Sequence, residues 1–466
     1  MQPTDRAADA NRLEDANSAA ATNTADTGLR REVGLVGAVS MGLGSIIGTG
    51  AFVSIGIAAG ITGPSVLLAI AVASVVATFN ALSSAQLAAN LPVSGGTYEY
   101  GYHYLRPWLG FVAGWMFLCA KIASAAAAAR GFAGYFAAGF TPASAWPQGL
   151  IAVVAVTGLT VIVLCGVRRS GWANVAIVSV TVAALAAFVI AGLPSAIASG
   201  SANLQPFFPA SPARFLEATA LMFVAYTGYG RIATLGEEVR EPRVTIPRAI
   251  VVTLLLSSSL YIAVGFVAIA AVGAESLTAI TVGTTGQRAA PLAILAADFS
   301  IPLVATLVSL GAMTAMLGVL LNLILGLSRV VLAMGRRDDA PALFAKLNRQ
   351  RTTPVAAVVL VGSIIATLAW ASDIKTAWSF SAFTVLVYYA ITNLSAIAMP
   401  RDQKLYPRWI PWCGLMSCLG LAFWVETRIW LIGLVILAIG LVFRQLCRWR
   451  ADRRVSLTAG QNRAGE

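Results

Sequence analysis

Between Val33 and Tyr98 the chain carries no Asp, Glu, Lys or Arg. A helix that crosses the hydrocarbon core of a bilayer needs about 20 apolar residues, so this run holds two crossings and a turn. Within lipid every backbone N–H and C=O must be bonded inside the protein, which leaves helices or closed barrels. A barrel would show short alternating segments, and the sequence has none. Charge-free runs recur at Gly131–Val167, Ser170–Ala213, Ala249–Ala274, Phe299–Ser328, Thr352–Ser372 and Thr376–Pro400. The class is an all-α polytopic membrane protein.

Composition fits this class: 58% of residues are hydrophobic and 11% charged. The net charge of +12 sits in short loops between apolar runs, which sets orientation in the bilayer and does not mark a nucleic-acid partner. Twelve spans are expected, at roughly 34–59, 64–90, 108–140, 147–167, 172–193, 214–236, 247–273, 301–333, 353–371, 376–399, 408–425 and 429–446. A short external helix is expected near Pro291–Phe299. With the N-terminus inside, nearly all loop Lys and Arg become cytoplasmic, and only Arg214, Arg288, Lys375 and Arg428 lie outside. Both termini are then cytoplasmic. Residues 1–29 read as a polar disordered tail rather than a signal peptide, 30–449 as the transmembrane unit, and 450–466 as a second tail. Five scattered cysteines and a single histidine, His103, offer neither a metal site nor a disulfide framework, and no cofactor is expected. Membrane-enzyme chemistry would need acid, base or nucleophile groups converging at depth, and the sequence supplies no such set.

The first span contains "GLGSIIGTGAF", with Gly42, Gly44, Gly48 and Gly50 inside it. Glycine disfavours helix by about 1 kcal/mol relative to alanine. Gly44 and Gly48 form a GxxxG pair that lets helices pack closely, so packing is one reading and a broken helix the other. The sixth span, "FVAYTGYGRIATLGEE", is interrupted in the same way at Gly228 and Gly230. The two spans are five apart and so run in opposite directions. Interruptions at matching places in two halves point to an inverted-repeat transporter with its site between them. A break frees carbonyls on one side and N–H groups on the other. A zwitterion matches both: its carboxylate against the amides of Gly48, Thr49 and Gly50, its ammonium against carbonyls near Ile46 and Val224–Tyr226. Each hydrogen bond to a charged group is worth about 1.5–3 kcal/mol.

These residues carry a resemblance. "GSIIGTGAF", "PVSGGTYEYGYHYLRPWLGFVAGW", "AYTGYGRIATLGEEVREPRVTIPRAI" and "SRVVLAMGRRDDAPALFAKLNRQRTTPVAA" resemble, in order, four segments of the amino acid–polyamine–organocation superfamily, the superfamily of amino acid permeases. The resemblance implies a leucine-transporter-like fold: two inverted five-helix repeats, about 34–193 and 214–399, plus two helices at about 408–446. It places substrate-backbone contacts at Ile46, Gly48, Thr49 and Gly50, with Ile47 among them, and at Phe223, Val224, Ala225, Tyr226 and Thr227, closed by Gly228. The bulky aromatic gate of some relatives aligns with Val224, one residue after Phe223. An acid found in others aligns with Gly230, which weighs against polyamines.

Lys121 lies deep in the third span, where an ionisable residue marks a functional site. It is the candidate for carrying a coupled proton; the alternative is a lysine held by backbone carbonyls or snorkelling. Arg231, Glu237 and Glu238, with Arg31, are candidates for an inner salt-bridge gate, or are ordinary interfacial charges. Tyr98, Tyr100, Tyr102 and Tyr104 read as an interfacial aromatic belt. Asn322 on the eighth span is polar lining or interhelical glue. The expected function is a secondary amino acid transporter of the plasma membrane working by alternating access, with a proton as co-substrate. The alternatives are an amino acid exchanger and a non-transporting sensor of the same fold. The expected partners are an amino acid and the lipid bilayer; the recognised side chain and the oligomeric state stay open.

Overall fold

The long apolar runs become long helices. The computed structural model describes residues 33–92, 95–140, 146–166, 171–208, 211–233, 239–282, 290–348 and 353–464. Helix α1 (Leu35–Ile46) ends where Ile47 turns extended, at φ −80° and ψ 103°. The chain restarts as a π-wound turn, Gly50–Ser54, and continues into α2 (Ile55–Thr62). Gly63, at φ 69°, and Pro64 then turn the chain into α3 (Val66–Asn90). After α4 (Thr97–Tyr104) come α5 (Pro107–Phe140), α6 (Gln148–Leu164) and α7 (Gly171–Asn203).

The second half repeats the theme. Helix α8 (Pro212–Tyr226) stops at a 3-10 turn, Thr227–Tyr229, before the short α9 (Gly230–Ala233). This interruption tightens the helix, whereas the one at Ile47 opens it. Val239 then pairs with Val33 in a single parallel bridge, and the Arg240 amide donates to the Val33 carbonyl at 2.9 Å. There follow α10 (Pro242–Val272), α11 (Ala274–Val282), α12 (Pro291–Ala297), α13 (Leu303–Arg336), α14 (Val355–Ala371), α15 (Ile374–Ala398), α16 (Trp409–Ala422) and α17 (Thr427–Ala464). Helix α12 occupies the segment expected to hold a short helix. Helix α17 runs past Arg450, where the polar tail was expected to start.

Among the described residues, seven stretches are long and apolar enough to cross a membrane, one of them spanning Leu35–Asn90, and three shorter apolar helices accompany them. The chain is therefore a helical, multi-pass membrane protein. Helices α5 and α15 pack along each other at the centre, flanked by α13, α3 and α8. Small residues make this approach close: Ala125–Ala129 of α5 are fully buried. The Gly56 and Gly60 seam lies against Thr281 and Thr278 of α11, with no room for a Cβ.

Candidate substrate site

The two interrupted segments meet. A Cβ added to Gly228 would lie 2.4 Å from the Ser45 carbonyl group and 2.6 Å from the Ile46 nitrogen. One added to Gly50 would lie 2.7 Å from the Ala225 Cβ and 2.8 Å from the Tyr261 hydroxyl. Only glycine lets these backbones approach so closely. Between them is a chamber of about 40 Å³ bounded by Ser45–Ile46, Gly48–Gly50, Val224–Ala225 and Thr227–Gly228, and closed by side chains from α5, α13 and α15.

The polar groups of the chamber follow from the breaks. Backbone bonding of the second segment begins with Ala51 and Phe52, whose amides donate to the Gly48 carbonyl at 3.1 and 3.2 Å. The amides of Gly48, Thr49 and Gly50 stand ahead of that first turn, where helix geometry supplies no acceptor. The Thr49 hydroxyl is buried and has no hydrogen-bond partner. On the carbonyl side, the Tyr261 hydroxyl lies 2.8 Å from the Ile46 oxygen and 3.3 Å from the Ala225 oxygen. The Thr227 hydroxyl donates to the Val224 oxygen at 2.7 Å. The Val224 oxygen accepts from the Thr227 amide as well, so of these carbonyls it is those of Ile46 and Ala225 that keep a lone pair for a ligand.

Lys121 lines the same chamber. It is 9% exposed, and its Nζ donates to the Thr227 hydroxyl oxygen at 2.8 Å. None of the ion pairs among the described residues involves it. It is held by a hydroxyl of the second break, and it does not snorkel to one face.

A larger cavity of about 550 Å³ adjoins the chamber, sharing Ser45, Lys121, Thr227, Gly228 and Leu323 with it. It runs along α13 past Asn322 and Leu327 to Arg329 and Arg336, so it opens toward the arginine-rich end of the molecule. On the opposite side the chamber is sealed. The Tyr135 hydroxyl donates to the Phe52 carbonyl at 3.1 Å and accepts from the Leu292 amide at 3.3 Å. The Phe52 and Tyr135 rings meet edge to face, and Trp378 donates to the Leu221 carbonyl at 3.1 Å.

Of the residues singled out in the sequence, Ile46, Gly48, Thr49, Gly50, Val224, Ala225, Thr227, Gly228 and Lys121 come together around the chamber. Ile47, Phe223 and Tyr226 are buried behind it. Phe223 packs edge to face on Tyr389, and the Tyr226 hydroxyl donates to the Ile70 carbonyl at 3.3 Å. Val224, not Phe223, faces the cavity. Arg231 lines the vestibule, while its expected gate partners Arg31, Glu237 and Glu238 lie outside the described residues. Asn322 takes the polar-lining role. Sequence reasoning missed Ser124, Val319, Leu323 and Trp378, as well as Tyr261 behind the breaks. Each comes from a distant helix with no local motif around it.

Two interrupted helices meeting at a chamber, with a vestibule leading from it, define a class: integral membrane permeases. The family model described as amino acid permease matches residues 37–461, and the chain belongs to that family. It is 41% identical over 414 residues to an uncharacterized transporter of Mycobacterium tuberculosis, covering 88% of this chain and 90% of that protein. It is 26% identical to the branched-chain amino acid permease of Bacillus subtilis, covering 88% and 92% of the two chains. It is 28% identical to a methylthioribose transporter of the same organism, covering 78% and 80%. The protein is thus a transporter of the amino acid permease family.

Proposed function

We propose that this transporter moves an amino acid across the plasma membrane by alternating access. The observation that carries the reading is the contact between the two interruptions: Gly228 lies against the Ser45–Ile46 peptide, beside the turn that follows Ile47. The substrate carboxylate is held by the amides of Gly48, Thr49 and Gly50 and the Thr49 hydroxyl. The ammonium is held by the carbonyls of Ile46 and Ala225, beside Val224. Val224, Trp378, Val319 and Leu323 enclose the rest.

In this reading the chain crosses the bilayer twelve times in the leucine-transporter-like arrangement, with repeats over about 34–193 and 214–399 and two further helices over about 408–446. Both termini are cytoplasmic, because the basic loops then face the cytoplasm. The vestibule therefore opens inward, and the Phe52–Tyr135–Leu292 contacts close the outer side. The segments around the breaks rock against the remaining helices to exchange one opening for the other.

Coupling is to protons, through Lys121. Its ammonium bonds to Thr227 at the second break, so gain or loss of its proton is sensed where the substrate binds. Uptake by sealed vesicles under an imposed pH gradient tests this. Wild-type protein accumulates substrate with the gradient; Lys121→Ala and Lys121→Gln lose gradient dependence. Unchanged gradient dependence in both variants overturns the coupling role. Exchange only against internal amino acid identifies an exchanger, and binding without accumulation identifies a sensor.

A further inference from the structure

We propose that the substrate carries a second negative charge: an amino acid whose side chain ends in a carboxylate, with Lys121 as the residue that selects it. The proposal rests on the substrate-site reading above and deepens it. A zwitterion needs only the backbone groups of the two breaks, because the amides ahead of the second segment's first turn receive its carboxylate and carbonyls its ammonium. Lys121 is surplus to that requirement, yet its side chain lines the same chamber and is nine-tenths buried.

The partner it has is neutral. Nζ donates to the Thr227 oxygen, whose own proton is committed to the Val224 carbonyl. An ammonium has three protons to donate. A buried charge without a counter-charge is costly, and an incoming carboxylate removes that cost. A second polar group lies beside it: Ser124, one helical turn along α5, lines the chamber with its hydroxyl 2.7 Å from Ser381. The approach has the same sign. Arg329 and Arg336 line the vestibule, and no Asp or Glu is among the described residues lining either cavity. Such a lining concentrates anions and repels cations. A neutral amino acid leaves one uncompensated positive charge in the closed chamber, a basic one leaves two, and a dicarboxylic one leaves none.

The test is calorimetric titration of the purified full-length protein with aspartate, glutamate, asparagine, glutamine, leucine and lysine. Wild-type protein is expected to bind one of the two acids about tenfold or more tightly than its amide isostere. Lys121→Met is expected to abolish that ratio, and Lys121→Arg to keep most of it. Tighter binding of leucine or of the amides, or an acid preference that survives Lys121→Met, overturns the proposal. If Lys121→Met does not fold, the wild-type ranking alone decides. Gly48→Ala, whose Cβ would lie 2.9 Å from Val319, separates this proposal from the site reading. Loss of all binding in Gly48→Ala together with a neutral preference in wild type overturns only the charge selection. Amino acid binding untouched by Gly48→Ala, or none in wild type, overturns the site and the selection with it.

Discussion

At the scale of single residues, one glycine sets the site and one cap secures a helix beside it. Gly228 has no room for even one methyl group against the Ser45–Ile46 backbone. Gly228→Ala is expected to destabilise by about 1–3 kcal/mol, because backbone rather than a flexible side chain would have to move. Thermal unfolding in detergent measures this, and ligand binding is expected to fall further than stability does. Asp373 has a different task. It caps α15, accepting from the Thr376 amide at 2.8 Å and from its hydroxyl at 2.6 Å. Burial acts to raise the pKa of this carboxyl, but the Thr376 bonds outweigh it and hold the pKa below the usual aspartate value. A depressed folded-state pKa contributes stability above the unfolded value of about 3.9, lost as pH falls through the lower folded value. Asp373→Ala is expected to cost about 1 kcal/mol near neutral pH and to flatten the acid limb of the stability curve.

Helices rather than residues explain the arginine-rich end. Asp339, just beyond α13, is fully buried and accepts from Arg444 Nε at 3.0 Å and Arg448 Nε at 3.2 Å, both on α17. It also accepts from the Tyr98 hydroxyl of α4 at 2.9 Å and from that of Tyr102. Arg337 pairs with Glu99 and lies over the Tyr102 ring at 4.5 Å. One carboxylate thus ties together α4, α13 and α17. Their spacing suggests an interfacial belt, but Tyr98 and Tyr100 are buried, the first because its hydroxyl has an acid to bond. Asp339 sits about 240 residues from its tyrosine partners and about 105 from Arg444, and no spacing rule connects groups so far apart. Asp339→Ala is expected to lower stability by roughly 3–5 kcal/mol, since it leaves Arg444 buried without a partner. Adding Arg444→Met to that variant is expected to restore part of the loss. Equal unfolding temperatures for the single and double variants would refute the clamp.

For the molecule as a whole, the long apolar helices were legible because lipid tolerates so few charges that each run has visible edges. The opening at Ile47 was legible too, because clustered glycines are costly in a helix. What was hidden is what distance in sequence conceals: Trp378, Val319 and Tyr261 reach the site through the packing of whole helices. The direction of opening was equally invisible, being a property of how helices tilt. It has a measurable signature. In a cysteine-free background, Ala333→Cys in the vestibule is expected to react with a charged maleimide from the arginine-rich side only. Leu323→Cys is expected to react more slowly once substrate is bound. The far side turns on a single oxygen atom. The phenol of Tyr135 grips both the Phe52 carbonyl and the Leu292 amide, so opening the chamber on this side must sever two bonds at one atom. Trimming it to phenylalanine would lengthen the time this side stands open, and a transporter slowed at that swing would cycle faster for losing a hydroxyl.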